Sequence, residues 1–197
     1  MKIYDISQEV FGCEVYLGDP KPEKRVISSI ESGDSYNLTA FSMCAHNGTH
    51  IDAPSHFIKN GKSVDSIPLC KTVGQAYVAE YCGVLSAETA KSILENAKNI
   101  NPESAKRLLI KGNATVSAEA ARVFADEGVY LVGNESQTVG PTDAPAEVHR
   151  ILLAQEVVLL EGIRLSEVSE GVYFLSAAPI NLANSDGAPC RAILIGD

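Results

Sequence analysis

The chain has 197 residues, 45% of them hydrophobic and 21% charged, and a formal net charge of −9. That length suits a single domain over residues 1–197 with a sizeable core. The acidic balance offers no basic surface to a phosphate backbone or an anionic bilayer, so the expected partner is a small molecule, with no nucleic acid and no membrane.

No apolar run approaches the roughly 20 residues of a membrane span, and "MKIYDISQEVFGC" has neither the basic nor the hydrophobic stretch of a signal peptide, which predicts a cytoplasmic protein. "KIYDIS" and "RVISSI" are rich in β-branched residues and read as short strands, separated by the Pro-broken loop "LGDPKPEK". Up to about Ser66 the chain is expected to be strands and loops. "LSAETAKSILENAKN" then has Ser86 as N-cap and apolar residues Ala90, Ile93, Leu94 and Ala97 at helical spacing. "RLLIKG" is a buried strand, "VSAEAARVFADEG" a helix capped by Ser117 and stopped by Gly128, and "VYLVG" another strand. "TDAPAEVHRILLAQ" is a third helix, with Thr142 or Asp143 as cap and Pro145 in its first turn, leading into the strand "VVLLEGI". "GVYFLSAAPINL" and "CRAILI" read as a closing antiparallel pair around "ANSDGAP". The alternation predicts an α/β fold with a mixed sheet and a strand-rich N-terminal half.

Chemistry concentrates in "MCAHNGTHIDAPSHF", which holds three of the four histidines, His46, His50 and His56, with Asp52 among them. His46 and His50 at a four-residue step would share a helix face, but Asn47-Gly48 is a turn dipeptide and Pro54 disfavours helix at Ala53. The segment is therefore a turn running into extended chain, where His50 and Asp52 point the same way. Two imidazoles and a carboxylate make an N,N,O ligand set for zinc or manganese, leaving His56 for another role. Read alone, His149 is a helix-surface residue and Glu161 a solvated strand end. Cys13, Cys44, Cys70, Cys82 and Cys190 form no C-x-x-C pair and read as reduced thiols. Of these, Cys44 sits two positions from His46, which opens a metal-free thiol mechanism with His56 as its base.

"HNGTHIDAPSH" resembles the H-x-G-T-H-x-D-x-P-x-H signature of the cyclase family of metal-dependent hydrolases, which includes kynurenine formamidases and isatin hydrolases. "YDISQEV", "YLGDP", "VHRILLAQEVVLLEGIRLSEV" and "APINLANSDGAPCRAIL" extend the resemblance over nearly the whole chain. It implies a swivelling β/β/α fold, a homodimer or homotetramer, and one or two divalent ions per chain. By position it implies that His46, His50 and Asp52 hold one ion. Asp52 would bridge to a second, completed by His149 and Glu161, and His56 would be the catalytic histidine. The reaction implied is hydrolysis of a small-molecule amide, a formamide or lactam. A bound divalent ion lowers the pKa of water to about 7 and polarises a carbonyl, while a neutral histidine passes the proton to the leaving nitrogen. Two segments depart from the pattern: "NESQTVGP" has Glu135, Thr138 and Gly140 where kynurenine formamidase-like members carry D-x-x-S-x-D, and in the N-terminal loop Leu17 stands in place of a proline. Tyr16, Phe57 and Tyr36 are candidates to line the substrate pocket. A relative that keeps the metal and has lost turnover is the remaining alternative.

Overall fold

The computed structural model describes residues 1–196. In chain order the strands are β1 (Lys2–Asp5), β2 (Glu23–Ser28), β3 (Leu38–Ser42), β4 (His50–Asp52), β5 (Val73–Glu80) and β6 (Gly83–Leu85). They continue with β7 (Arg107–Lys111), β8 (Ala114–Val116), β9 (Leu131–Asn134), β10 (Val158–Glu161), β11 (Gly171–Ser176), β12 (Gly187–Pro189) and β13 (Ile193–Gly196). Three α-helices, α1 (Ala87–Ile100), α2 (Ala118–Asp126) and α3 (Ala146–Ala154), lie between the central strands. None of the described helices is long and apolar enough to cross a membrane.

Nine strands form one mixed sheet in the order β1-β13-β11-β5-β7-β9-β10-β4-β12. Its centre, β5-β7-β9-β10, is parallel. The strands outside that centre pair antiparallel. The parallel centre follows from the helical crossovers, since parallel neighbours need a long connection and a helix supplies it. The two faces feed two cores. Tyr77, Leu108, Ile110, Val132 and Leu159 pack with the helices. Val78, Leu109, Leu131 and Leu160 pack on the opposite face with Ile51 and Leu194.

This alternation positions the site. Side chains of a strand point to opposite faces in turn. Leu159 faces the helices and Leu160 does not, so Glu161 at the end of β10 points back to the helix side. Ile51 belongs to the other core, so its neighbours His50 and Asp52 also face the helices. The ladder pairs Glu161 with His50 and Leu159 with Asp52.

The capping serines act as expected: Ser86 Oγ accepts from the Thr89 N–H at 3.2 Å and Ser117 Oγ from the Ala120 N–H at 3.1 Å. The third helix starts later than its sequence suggests. Its N-cap is Pro145, with no side-chain cap, rather than Thr142 or Asp143. The Thr142 carbonyl is instead used by Tyr16, whose hydroxyl donates to it at 2.9 Å. β5 has no counterpart among the sequence expectations. Its Ala76–Ala79 stretch is buried on both faces, so it carries no polar–apolar alternation. "ANSDGAP", read as a connecting loop, contains the edge strand β12.

Candidate metal centre

The turn before β4 is built on Gly48 at φ +64°, and the chain leaves β10 through Gly162 at φ +69°. A Cβ at Gly162 would collide with the Gly48 carbonyl oxygen and the Gln137 amide, so the two backbones meet only because residue 162 is glycine. Thr49 ties them, its hydroxyl donating to the Gly162 carbonyl at 2.7 Å. The histidine turn is thereby held against the end of β10.

His50, Asp52, His149 and Glu161 converge there, all buried. His50 Nε2 lies 3.4 Å from Asp52 Oδ1 and 3.4 Å from Glu161 Oε2. His149 Nε2 lies 3.2 Å from Glu161 Oε1 and 3.5 Å from Asp52 Oδ2. His46 Nδ1 reaches Asp52 Oδ1 at 2.8 Å. Burial at 149 and 161 overturns the reading of these two residues as a helix-surface histidine and a solvated strand end. Sequence spacing could not reveal it, because α3 and β10 are brought to β4 only by the sheet order.

Asp52 is the hinge of the arrangement. Its Oδ1 faces His46 and His50, and its Oδ2 faces His149, so it belongs to two groups whose potential ligand atoms all lie within 4.8 Å of one another, His46–His50–Asp52 and Asp52–His149–Glu161.

The donor set fits a cation. The Nδ1–H of His50 donates to the Gly48 carbonyl at 3.0 Å, and that of His149 to the Pro145 carbonyl at 2.9 Å, since a carbonyl oxygen only accepts. A neutral ring with its proton on Nδ1 has a lone pair on Nε2, and both Nε2 atoms aim at carboxylate oxygens. Lone pair against lone pair is repulsive, so the geometry requires positive charge between them. Asp52 Oδ2 is also buried with no hydrogen-bond partner.

Without a metal, protons supply that charge. Burial alone would lower the pKa of His50, but hydrogen bonds to Asp52 and Glu161 outweigh it and push it up to about 10. The same balance raises His149 to about 10. Burial also opposes the charged form of Asp52, and the surrounding histidines, His149 foremost, hold its carboxyl well below the usual range. Two imidazoliums against two carboxylates carry the charge that one divalent ion would bring, and metal ligation needs the same rings neutral.

His56 lies outside this group. Its Nδ1 faces Asp186 Oδ2 at 3.3 Å, its ring stacks on His46 with centroids 4.0 Å apart, and burial lowers its pKa. The centre opens into a cleft of about 400 Å³ lined by His56, Tyr16, Phe57, Cys44, Thr138 and Asp186 among others. Phe57 packs its ring on His56 and His149, with centroids 4.5 and 4.7 Å away. Tyr36 is 58% exposed and is not among the lining residues, which corrects that expectation. The thiol reading also fails on geometry. Cys44 Sγ is directed to Asp19 Oδ2 at 3.9 Å, and His56 to Asp186, so among the described residues Cys44 and His56 form no hydrogen-bonded pair.

In the departing segment "NESQTVGP", Glu135 is committed to the backbone, accepting from the Gly112 and Leu165 N–H groups at 2.7 and 2.9 Å. Thr138 is buried with its hydroxyl unpaired. The neighbouring Val139 N–H donates to Glu161 Oε1 at 2.8 Å, which aims that carboxylate. Asp186, also at the site, was missed by sequence reasoning, because the "NSDG" turn carries no signal beyond a turn and reaches His56 only through β12.

The profile of the family described as "Putative cyclase" matches residues 4–141. A kynurenine formamidase from Salinibacter ruber (strain DSM 13855 / M31) is 33% identical over 212 residues, spanning 98% of this chain and 97% of that protein. A solved structure described as a potential metal-dependent hydrolase with cyclase activity is 27% identical, with a TM-score of 0.78 over 98% of this chain and 96% of that one. Isatin hydrolase A from Labrenzia aggregata, bound to benzyl benzoate, shares the fold with a TM-score of 0.82 at 21% identity, over 100% of this chain and 94% of its own. With a family match over most of its length and a relative aligned from end to end, this chain belongs to the cyclase family.

Proposed function

We propose that this metal-dependent amide hydrolase cleaves the C–N bond of a small formamide, with a lactam as the second substrate class. One or two divalent ions would be held by His46, His50, Asp52, His149 and Glu161, and His56 moves the proton. The observation that carries the reading is Asp52, buried between two ligand groups with one oxygen turned to each. A mixed imidazole and carboxylate set suits zinc or manganese. The formamide class is favoured by the 33% identical kynurenine formamidase.

When bound, a divalent cation supplies Lewis acidity that makes water nucleophilic near neutral pH and polarises the substrate carbonyl. The protein's own groups do the rest. His56 has its Nδ1 directed at Asp186, which leaves Nε2 available, and its lowered pKa keeps the ring neutral near pH 7. Nε2 accepts the proton of the attacking water and returns it to the leaving nitrogen. Phe57 excludes water from one side of the His56 and His149 rings, and Tyr16, fixed on the Thr142 carbonyl, forms part of the cleft wall that meets the substrate.

The reading extends to a cytoplasmic homodimer or homotetramer. The separate two-stranded β2–β3 hairpin exposes Val26 and Phe41 by 60% and 59%, and a lone hairpin of this kind is marginal in water unless something packs on it.

Elemental analysis of wild type, His50→Ala and His149→Ala, alongside a formamide and lactam panel, tests the proposal. Two ions per chain in wild type with loss in both variants, together with hydrolysis, supports the binuclear reading. Loss only in His50→Ala reduces the centre to one ion. Metal with no turnover across the panel points to a relative that binds without catalysis, and no stoichiometric metal after reconstitution overturns the centre.

A further inference from the structure

Asp186 precedes the edge strand β12, and its backbone is pinned there: its carbonyl accepts from the Ala53 N–H at 2.9 Å, and the preceding Ser185 carbonyl from the Val64 N–H at 2.8 Å. From this anchored position a single carboxylate oxygen, Oδ2, meets two rings, lying 3.0 Å from His46 Nε2 and 3.3 Å from His56 Nδ1. The two rings stack at 28° with centroids 4.0 Å apart, so their nitrogens converge on one side.

We propose that Asp186 is a positioning residue that fixes the tautomers of His46 and His56 together. An ionised carboxylate only accepts, so each ring nitrogen facing it carries a proton. His46 Nδ1 also faces a carboxylate, Asp52 Oδ1 at 2.8 Å, and carries a proton in the metal-free protein; a cation seated there would replace that proton, and the Nε2–H held by Asp186 then leaves Nδ1 as the ligand atom. His56, protonated on Nδ1, presents a bare Nε2 as the base. One oxygen thus sets the ligand and the base at the same time, and carboxylates placed behind metal-binding histidines set tautomer and ring orientation in this way. Asp186 itself stays at the mouth of the cleft, its side chain 48% exposed where those of Asp52 and Glu161 are buried, which favours an orienting role over a ligand role.

The kinetic part rests on the hydrolase reading, and the spectroscopic part does not. In metal-free ¹⁵N-labelled protein at pH 8, long-range ¹H–¹⁵N correlations should place the His56 proton on Nδ1 in wild type. The proton should redistribute to Nε2 in Asp186→Ala and return towards Nδ1 in Asp186→Asn, which keeps an accepting oxygen. In loaded enzyme, Asp186→Ala should lower kcat by about 10- to 100-fold. KM should stay within about twofold, because substrate contacts are untouched. An unchanged His56 tautomer in Asp186→Ala overturns the proposal whatever the activity, as does a wild-type kcat in a hydrolysing enzyme. A shifted tautomer in a protein that hydrolyses nothing on the panel supports the positioning role and tells against the hydrolase reading alone. Loss of bound metal in Asp186→Asn with the His56 tautomer intact makes Asp186 a ligand and also overturns it. If Asp186→Ala does not fold, the same tautomer and kcat comparisons are made on Asp186→Asn, with a smaller change expected in each.

Discussion

Glu161 and His50 are direct cross-strand partners on β10 and β4, and their side chains meet 3.4 Å apart on the helix face of the sheet. Glu161 also accepts from the buried Val139 N–H and faces His149. Glu161→Ala therefore strips two buried rings of a counter-charge and leaves a backbone donor unpaired. Breaking buried ion pairs on one side costs about 3–5 kcal/mol. Urea denaturation of chelator-treated protein should show a loss of that order, and a loss below about 1 kcal/mol would mean the four groups are not paired as described.

The metal-free protein should have a sharply pH-dependent stability. His50 and His149 are raised from 6.5 to about 10, so the stability they contribute is complete below pH 6.5 and is lost as pH rises through 10. Asp52 is lowered, so its contribution is present above its ordinary value of 3.8 and is lost at more acid pH. His56, lowered from 6.5, opposes this with a contribution lost below that pH. Melting temperatures in chelator should fall from pH 7 to pH 10. Stability that is flat or rising across that interval would contradict the pairing.

Removing the proposed base separates chemistry from binding. His56→Ala should lower kcat by at least about 100-fold, the usual contribution of a positioned acid–base group. Its metal content should match wild type, because the groups around Asp52 remain complete. A parallel fall in bound metal, measured by elemental analysis, would place His56 among the ligands.

Gly187 is paired with Asp52 in the β12–β4 ladder. A Cβ there would stand 2.6 Å from His46 Cε1 and 2.8 Å from the Ile51 carbonyl oxygen. Gly187→Ala should push the His46 ring off Asp52 and cost about 1–3 kcal/mol in overpacking. Zinc titration of the metal-free variant should show weakened binding. Unchanged affinity would remove His46 from the ligand set.

What the sequence made legible was local. The helix caps Ser86 and Ser117 announce themselves because the capping bond spans three residues. His46 lies in one turn, His50 and Asp52 on the short strand after it and His56 in the single 3-10 turn Pro54–His56, all within eleven residues, where Asn47-Gly48 and Pro54 exclude a continuous α-helix. The contributions that come from far along the chain were not legible from the residues alone. His149 and Glu161 look like ordinary surface groups until β10 is laid beside β4, and only the resemblance to a family assigned them. Asp186 had neither kind of signal. β5 hid for a related reason, since a strand covered on both sides has no polar face to mark its period.

The centre draws on β4 and, nearly half the chain further on, on the consecutive elements α3 and β10, in a chain whose described cysteines are all free. An ion seated there would act as a reversible cross-link, tying an early strand to a late one where no covalent bond does so. Ligand that binds only the folded form stabilises it by about 2.7 kcal/mol at a hundred times its dissociation constant. Folding and loading would then be two views of one equilibrium. The cellular level of the protein is expected to follow the supply of its metal, read as a shortened half-life when cells are depleted of divalent ions and an unchanged one in the non-binding His50→Ala variant.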